Sequence, residues 1–548
     1  MKELKDFPPA QSGRTVIFLL VMVFLLVSGV VHTNIYAAEP TKPGGKILEK
    51  STTMDDPPEI SVNRTQLNFG AIVEGGMTSS VTPSQGLLIT NSGGGTLDWS
   101  IHNAADWLIC MPTSGTNSGV GTVSVAPCGL PAGPYSDTIY IYGHGASNSP
   151  QTVTVHLQVR NPSQDHPPFG TFETPIHNSH VSSSIPVTGW VLDDVEVDSV
   201  KVYNGSSYVG DAVFVEGARP DVEQAYPDYP NNYKAGWGYM LLTNFLPNGG
   251  NGTYTLHARA TDSEGQEVTL GSKTIFCDNA HAVKPFGAID SPTQGGTASG
   301  SEYINWGWAL TPQPKHIPTD GSTINVYVDG VNKGHPTYNI YRKDIAELFP
   351  DLANKDGAAG YFYFDTTGYA DGVHTIQWTA RDNEGVSDGI GSRYFTIRNT
   401  NGGNNSQTKS TSQSQKTPPM RIEHLKDLPL DHWSPVRMRK GFREDIQPRA
   451  IYPDHEGRII IEIRELERIE LDLFNRFTGI SEISGYQVVG DGLQSLPIGS
   501  TLEPGKGKFY WMPGPAFFGD YHFVFIEKGP FGKVSRQHII VKIGPKQF

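Results

Sequence analysis

Short runs in which apolar and polar residues alternate make up most of the chain after residue 57. Typical runs are 87–90 (LLIT), 138–142 (TIYIY), 153–159 (VTVHLQV) and 458–463 (RIIIEI). β-Branched and aromatic residues are frequent in them, and clusters of Gly, Asn and Ser separate them. Alternation with period two puts one face of a strand in a core and the other in solvent. The pattern predicts an all-β protein of short strands and frequent turns.

The middle of the chain contains an internal duplication. The segment 168–170 (PFG) recurs 117 residues later at 285–287, and other matching segments follow in the same order. These are 189–190 (GW) with 307–308, 219–222 (RPDV) with 342–345 (RKDI), 238–239 (GY) with 360–361, and 260–265 (ATDSEG) with 380–385 (ARDNEG). Ordered matches of this kind predict two tandem β domains of one fold, and repeated modules can multiply a binding face.

The N-terminal segment predicts export. Basic residues occur in 2–14, an apolar run follows at 16–31, and Ala37 and Ala38 come next. This is the order of a secretory signal, and the run is shorter than the ~20 residues that span a bilayer. Two alternatives stay open, a cleaved signal peptide over 1–38 or a retained N-terminal anchor. Both predict an extracellular or cell-envelope protein that meets the membrane only through this segment, if it is uncleaved.

Length and composition narrow the class of protein. A chain of 548 residues is long enough for three or four domains. Its formal net charge of −14 argues against a duplex nucleic-acid binder, which needs a basic face. Its three cysteines exclude a disulfide scaffold and a multi-cysteine metal site. No H-E-x-x-H, phosphate-binding Walker loop or dinucleotide fingerprint occurs, so no enzyme class is indicated.

The cysteines themselves are placed by the strand pattern. If 108–112 and 122–127 pair around the intervening loop, Cys110 faces about residue 124 and Cys128 lies several residues further along. That separation disfavours a disulfide, which requires Cα atoms about 4.4–6.8 Å apart. Cys277 has no predicted partner. The disulfide state of the three residues is left open.

These observations divide the chain into eight segments. They are 1–38, signal peptide or anchor; 39–56, linker; 57–160, first β-sandwich; 165–280 and 281–400, the two repeats; 401–419, a flexible linker rich in Asn, Ser, Thr and Gln; 420–449, an unassigned lead-in; and 450–548, a last β domain.

The first sandwich resembles the BACON domain, an immunoglobulin-like module of bacterial surface proteins. The matching pieces are LNFG at 67–70, WL at 107–108, PTSG at 112–115 and GLPAGPY at 129–135. The resemblance implies a β-sandwich and raises binding of carbohydrate or mucin. It carries over no set of ligand residues.

The other domains resemble further immunoglobulin-like families. The repeats are similar to bacterial immunoglobulin-like domains through the Ala-x-Asp-x-x-Gly turn before the last strand. Segment 450–548 resembles the putative immunoglobulin domains of the cadherin-like superfamily on LPIGSTL at 496–502, GKFYWMP at 507–513 and GDY at 519–521. The expected fold class is therefore all-β: tandem immunoglobulin-like β-sandwich domains after an N-terminal signal or anchor segment.

Aromatic residues are the best candidates for a binding surface. The segment 226–239 holds Tyr226, Tyr229, Tyr233 and Trp237 among Pro, Asn and Asp residues. Aromatic faces with amides and carboxylates nearby suit a sugar, whose C–H face stacks while its hydroxyls form hydrogen bonds. The alternative is a long loop that folds over the sandwich on its own aromatic side chains. Trp306 is a further candidate, since its equivalent in the first repeat is Thr188.

Trp306 and Trp308 are two residues apart, so a strand points both to one face. We expect Trp308 and its equivalent Trp190 to be core residues of the two sandwiches. Arg219 with Asp221, and Arg342 with Asp344, are expected to anchor the loops that carry them.

Acidic residues precede both Glu-Gly turns of the repeats. Asp262 and Asp382 are expected to cap these turns with their side chains. A calcium ion held between domains is an alternative that needs several more oxygen ligands. No other cofactor is expected.

The sequence favours a non-catalytic, exported bacterial protein that works in surface adhesion or carbohydrate binding. Its expected partners are glycans or other cell-surface polymers, held by weak aromatic contacts that tandem copies reinforce. Two alternatives remain: a structural spacer or scaffold of the cell envelope, and a non-catalytic accessory to a polysaccharide-degrading system.

Overall fold

The computed structural model describes residues 57–399, 422–473, 482–529 and 534–546 as four consecutive β-sandwiches, each made of two sheets. This confirms the predicted all-β class. The described residues belong to one compact unit, Asp55–Phe548. The predictions for segments 1–38, 39–56 and 401–419 lie outside the described residues.

The first sandwich combines a four-stranded and a six-stranded sheet, in the orders β1-β4-β8-β6 and β3-β2-β10-β9-β5-β7. The alternating runs noted in the sequence form β4, β9 and β10. The strands are β1 Ile60–Val62, β2 Gln66–Glu74, β3 Met77–Val81, β4 Gln85–Asn91, β5 Asp98–His102, β6 Leu108–Met111, β7 Ser114–Thr116, β8 Gly119–Val125, β9 Gly133–Gly143 and β10 Gln151–Arg160.

The second sandwich has sheets β11-β13-β17-β16 and β12-β19-β18-β14-β15. Its strands are β11 Phe169–Thr174, β12 Ser179–Val181, β13 Ser184–Leu192, β14 Val197–Asn204, β15 Ser207–Asp211, β16 Val213–Phe214, β17 Gly236–Leu242, β18 Asn251–Asp262 and β19 Glu267–Asp278. Two short helices interrupt it, α1 Pro220–Ala225 and α2 Pro247–Gly250.

The third sandwich has sheets β20-β22-β26-β25 and β21-β28-β27-β23-β24. Its strands are β20 Phe286–Ser291, β21 Thr297–Ala298, β22 Tyr303–Leu310, β23 Ile324–Val328, β24 Val331–Gly334, β25 Thr337–Ile340, β26 Ala359–Phe364, β27 Gly372–Arg381 and β28 Ser387–Ile397, with one helix, α3 Lys343–Leu348. The strand order matches that of the second sandwich position by position, as the duplication predicts.

The last sandwich has sheets β30-β29-β32-β36-β35 and β31-β38-β37-β33-β34. Its elements are α4 Ile422–Asp427, β29 Val436–Lys440, β30 Arg449–Ile451, β31 Arg458–Arg464, β32 Ile469–Asp472, β33 Glu482–Val489, β34 Gly492–Gln494, β35 Ser500–Glu503, β36 Lys508–Trp511, β37 Gly519–Lys528 and β38 Val534–Gly544. Single 3-10 turns elsewhere in the chain are Pro162–Gln164, Asn232–Lys234, Thr243–Phe245 and Lys355–Gly357.

The boundary placed at residue 450 is too late. Strand β29 pairs with β32, so part of the unassigned lead-in 420–449 is an integral strand of the last sandwich. Val436 and Met438 on β29 are buried in its core. The sequence run there, 436–440 (VRMRK), alternates as a strand should but is very basic.

The cores of the two repeats are filled by one tryptophan each, supplied from different strands. In the second sandwich Trp237 on β17 lies against Gly189, and in the third Trp378 on β27 lies against Gly307. Both indole rings are fully buried. Each repeat carries a small residue where the other carries tryptophan: Gly360 is in the position of Trp237, and Ala258 in that of Trp378. The exchange keeps the core volume filled while the sequence diverges.

The last sandwich packs back against both repeats, instead of following them as a separate domain. Val215 and Ala218 of the second sandwich and Tyr394 of the third belong to the same apolar cluster as its core. The Tyr394 hydroxyl donates to the Pro515 carbonyl at 2.7 Å, and Arg468 Nε donates to the Gly330 carbonyl at 2.6 Å.

Glu465 marks the contact of the last sandwich with the second. It is 4% exposed, and its Oε1 accepts hydrogen bonds from Thr174 Oγ1 at 2.7 Å and Thr188 Oγ1 at 3.3 Å. Burial raises the pKa of this carboxyl to about 7, although hydrogen bonds partly offset the effect. A charge at this position is therefore unfavourable in the folded protein.

We expect Glu465 to make stability depend on pH. The pKa of Glu465 is about 7 in the folded protein and 4.5 in the unfolded chain. Its contribution to the free energy of unfolding is therefore complete below about pH 4.5 and is lost as the pH rises through 7. The loss amounts to up to about 3 kcal/mol. Urea unfolding at pH 5 and pH 8.5 measures this. Glu465→Gln should show the smaller difference between the two pH values. Equal pH dependence in both proteins would contradict the assignment.

All three cysteines are free, and the pairing of β6 with β8 holds Cys110 away from Cys128. Cys110 faces Val123, and Cys128 lies beyond the end of β8, where its thiol contacts the Gly76 carbonyl at 3.3 Å. Cys110 and Cys277 are buried, and burial raises the pKa of their thiols to about 11 and about 12.

Thiol titration should reflect this difference in burial. In the native protein one thiol, Cys128, is expected to react rapidly, and the other two only after unfolding, because the thiolate is the reactive form. Cys128→Ser should remove the rapid phase. A rapid phase that persists in this variant, or fewer than three thiols after unfolding, would contradict the structure.

Candidate functional site

The aromatic residues of 226–239 do not form the predicted open surface. Trp237 is fully buried in the second sandwich, and Tyr233 is 7% exposed beneath the Arg64 guanidinium, which lies 3.3 Å from the ring centroid. Tyr226 and Tyr229 are half-buried and pack on Phe169, with ring centroids 5.5 and 5.2 Å away. The alternative, a loop folded over the sandwich on its own side chains, describes them correctly.

The same loop also joins the first two sandwiches. Asn68 Nδ2 of β2 donates to the Pro227 carbonyl at 2.7 Å, and Arg64 pairs with Glu216. Outside this loop, Thr82 Oγ1 donates to the Val195 carbonyl at 2.7 Å, which also links the two sandwiches. The aromatic loop is thus buried from two sides, by its own sandwich and by the first one.

Trp190 and Trp308 do not lie in the inner cores predicted for them. Both point to the outer face of their sheet, where a short helix and its loop cover them. Trp190 packs against Tyr226 at 5.5 Å, and Trp308 against Phe349 at 5.7 Å between ring centroids. Trp308 is nonetheless buried, at 2% exposure. Strand parity explains the error, since Ile185, Val187 and Val191, the odd positions of β13, face the core.

Trp306 is the one predicted site residue that is well exposed, at 39%. It shares the outer face of the sheet with Trp308, as the spacing predicts. Its neighbours on β26 are Tyr361, whose ring lies 5.2 Å away, and Tyr363, which is 59% exposed and 5.5 Å from Tyr361. We call Trp306, Tyr361 and Tyr363 the aromatic strip. The ring planes of Trp306 and Tyr361 are inclined by 51°, and those of Tyr361 and Tyr363 by 83°. The three rings form an uneven apolar patch that is exposed at Trp306 and Tyr363 and half-buried at Tyr361.

Polar groups border the aromatic strip. Thr337 on β25 is exposed and pairs with Tyr361 across the sheet. Asp290 on the other side is bound by Arg342, which also forms a forked contact with Asp344 at 2.9 Å. Burial raises the pKa of Asp290, and the Arg342 charge partly reverses this. The strands next to the aromatic strip therefore carry a hydroxyl group at Thr337 and, at Asp290, a carboxylate bound to a guanidinium.

The equivalent face of the second sandwich has the opposite character. Register places Thr188 where Trp306 stands, Gly238 where Tyr361 stands, and Thr174 where Ser291 stands. These small residues are covered by the last sandwich: a Cβ on Gly238 would lie 2.4 Å from the Pro515 carbonyl carbon, and both threonines bind Glu465. One copy of the face is occupied within the chain, and the other presents aromatic rings.

The predicted loop anchors and turn caps are confirmed. Arg219 forms a forked contact with Asp221 at 2.9 and 2.7 Å. Asp262 accepts the Gln266 backbone N–H at 2.7 Å, and Asp382 accepts that of Val386 at 2.9 Å.

A metal site is a separate matter. Among residues 57–399, 422–473, 482–529 and 534–546, no group of three or more His, Cys, Asp and Glu side chains is arranged to hold a metal ion. The calcium alternative therefore stays an expectation of the sequence alone.

Sequence reasoning missed Tyr361 and Tyr363. Segment matching aligns Gly360-Tyr361 with Gly238-Tyr239, whereas the structural register pairs Gly307 with Gly360 and Gly189 with Trp237. The true equivalent of Tyr361 is Gly238. The alternation of 359–364 (AGYFYF) was the available signal, since it puts Tyr361 and Tyr363 on one face.

No protein-family model matches this chain. Over 217 residues the chain is 24% identical to halomucin of Haloquadratum walsbyi. The match covers 31% of this chain and 2% of halomucin. The chain thus spans a very small part of that relative.

Solved structures share the β-sandwich at low similarity. Immunoglobulin domains 1–4 of Sidekick-1 are 10% identical with a TM-score of 0.20, covering 88% of this chain and 99% of that one. The protocadherin GammaB4 extracellular domain is 10% identical with a TM-score of 0.16, covering 90% and 68%. Fibronectin(III)-like modules of Clostridium thermocellum CbhA are 15% identical with a TM-score of 0.14, covering 42% and 94%.

The chain is a tandem of immunoglobulin-like β-sandwiches. The more specific BACON and cadherin-like resemblances stay predictions. In the described ranges, the immunoglobulin-like tandem contains no helix with the length and apolarity needed to cross a bilayer.

We expect the two tryptophans of β22 to differ sharply in their effect on stability. Trp308→Ala removes a buried ring and should lower the free energy of unfolding by about 3–5 kcal/mol. Trp306→Ala removes a solvent-facing ring from the same face and should change it by no more than about 1 kcal/mol. Chemical denaturation of both variants measures this. A large loss with Trp306→Ala would mean that the ring is structural.

Proposed function

We propose that this protein is a non-catalytic, exported surface protein that binds glycans through the aromatic strip of its third sandwich. The observation that carries the proposal is the contrast between the two copies of one sheet face. A solvent-facing patch of three aromatic rings costs solubility, so an exposed patch of this kind usually marks a binding surface. In the second sandwich the positions of Trp306 and Tyr361 hold Thr188 and Gly238, which the last sandwich covers, and the position of Tyr363 holds Met240.

The composition of the strip supports a sugar ligand. A pyranose ring presents C–H groups that pack on Trp306, Tyr361 or Tyr363, while its hydroxyls can reach Thr337, Asp290 and Arg342. The strip lies on paired strands, so its rings are held in a fixed arrangement before a ligand binds. An open surface on one face of a sheet suits one side of a polymer chain better than a small enclosed molecule.

The scaffold also supports a role at the cell surface. The N-terminal segment predicts export, and the described chain is a series of rigid sandwiches in which the last one clamps the two repeats. This arrangement would hold the strip at a fixed orientation to the first sandwich. A purely structural spacer, the second class considered, would not need adjoining aromatic rings on this face of the third sandwich.

A glycan-binding assay with matched variants tests this function. The full chain should bind at least one member of a glycan array or an immobilised polysaccharide. Trp306→Ala and Tyr363→Ala should each weaken that binding at least tenfold, about 1.4 kcal/mol, because each removes a stacking surface. Melting temperature should change little in either variant.

Tyr142→Ala is the matched control. Tyr142 is 45% exposed and belongs to another aromatic patch, on β9 of the first sandwich, where its ring lies 6.4 Å from that of Tyr140. It should leave glycan binding unchanged. Loss of binding in the control with full binding in Trp306→Ala would transfer the site to the first sandwich, and absence of all glycan binding would favour the spacer.

A further inference from the structure

A cleft of about 530 Å³ lies between the second and third sandwiches, away from the aromatic strip. Apolar side chains line part of it, among them Val213 and Phe214 of β16 and Phe395 of β28. Its volume falls in the range of about 300–1,000 Å³ that small-molecule sites occupy.

The polar part of the lining is strongly acidic. It contains four carboxylates and one lysine: Asp193, Glu196, Asp198, Asp211 and Lys234. A recessed wall with this excess of negative charge concentrates cations, since the apolar surroundings screen the field less than water does.

Two buried acceptors in the lining have no donor among the described residues. Asp193 is 3% exposed, and its Oδ2 accepts the backbone N–H groups of Val195 and Glu196 at 2.7 and 3.0 Å, which leaves Oδ1 unpaired. Asn231 donates its amide N–H to Glu196, and its Oδ1 is also buried and unpaired. Leaving such an atom unsatisfied is unfavourable, because it has lost its water partners and gained no others. A ligand that supplies N–H or O–H donors would remove this cost.

The groups around Asp193 make a positively charged ligand favourable at this position. Burial, together with the nearby carboxylates of Asp194 and Asp262, raises its pKa to about 7. Arg160 and His166 contact the neighbouring Asp194, at its Oδ2, and Arg160 also donates to the Asp194 carbonyl. The second repeat is different: it has Thr311 at the position of Asp193, and Lys315 Nζ lies 3.6 Å from Asp382, the equivalent of Asp262. The uncompensated acidic group is therefore specific to the first repeat.

We propose that this cleft binds a small organic ammonium ion, with its N–H groups directed at Asp193 Oδ1 and Asn231 Oδ1 and its carbon skeleton on Phe214 and Val213. An ammonium group supplies three donors and a positive charge together. A neutral polyol supplies donors but leaves the carboxylates uncompensated. A metal ion fits less well, because the described side chains form no ready metal cage.

Isothermal titration of the full chain with paired probes tests this inference. Glucosamine and 1,5-diaminopentane carry the ammonium group on a sugar and on an alkyl chain, and glucose and 1,5-pentanediol are their neutral counterparts. At least one ammonium probe should bind at least tenfold more tightly than its neutral counterpart. Whichever probe binds identifies the source of the ammonium group.

Variants locate the binding to the cleft. Asp193→Asn should weaken binding of the ammonium probe at least tenfold. Asp211→Asn leaves the Asp193 turn intact and should weaken binding of the probe about threefold. Asp228 is exposed and lies outside the cleft lining, so Asp228→Asn should not change this binding. Trp306→Ala should also leave it unchanged, so failure of the glycan proposal does not decide this one.

Three outcomes would overturn the inference. The first is equal binding of neutral and ammonium probes, and the second is no binding of either ammonium probe at millimolar concentration. The third is binding of calcium chloride alone that is lost in Asp193→Asn, without binding of an ammonium probe, which would assign the acidic group to a metal.

Discussion

The packing of the last sandwich against both repeats is the interaction on which the rest of the structure depends. Its core is continuous with Ala218 of the second sandwich and Tyr394 of the third, and the Tyr521 hydroxyl at its centre donates to the Ala218 carbonyl. Arg468, 1% exposed, binds the Gly330 carbonyl from the same side. Apolar burial and hydrogen bonds between buried polar groups together fix the angle between the repeats, which separate domains on a string would leave free.

This packing accounts for the divergence of the two repeats. Where the last sandwich lies on the second, close approach requires small residues such as Thr188 and Gly238. The equivalent face of the third sandwich carries no such constraint, and Trp306 and Tyr361 occupy it. One of the two equivalent faces is thus covered within the chain, and the other faces solvent. The same fixed angle between the repeats creates the acidic cleft.

The sequence is sufficient for the strands and the duplication, because period-two alternation and ordered matches are local signals. Sequence-based prediction of burial fails where the result depends on which face of a strand is covered by another segment. Trp190 and Trp308 are large and apolar, yet β13 and β22 direct them outward under a helical loop. Trp237 stands in a segment that resembles a loop and is in fact the core of its sandwich. Contacts between distant segments, such as Arg64 with Tyr233 or Glu465 with Thr174, produce no periodic pattern in the sequence, so the sequence does not predict them.

Hydroxyl-radical footprinting of the full chain tests the central claim most directly, since it reports the solvent exposure of individual rings. If the last sandwich is docked, Tyr394, 4% exposed beneath Pro515, should be oxidised far more slowly than Trp306 and Tyr363. Oxidation of Tyr394 at a rate similar to that of Tyr363 would show that the last sandwich moves freely. The contrast between a covered and an open face would then be lost.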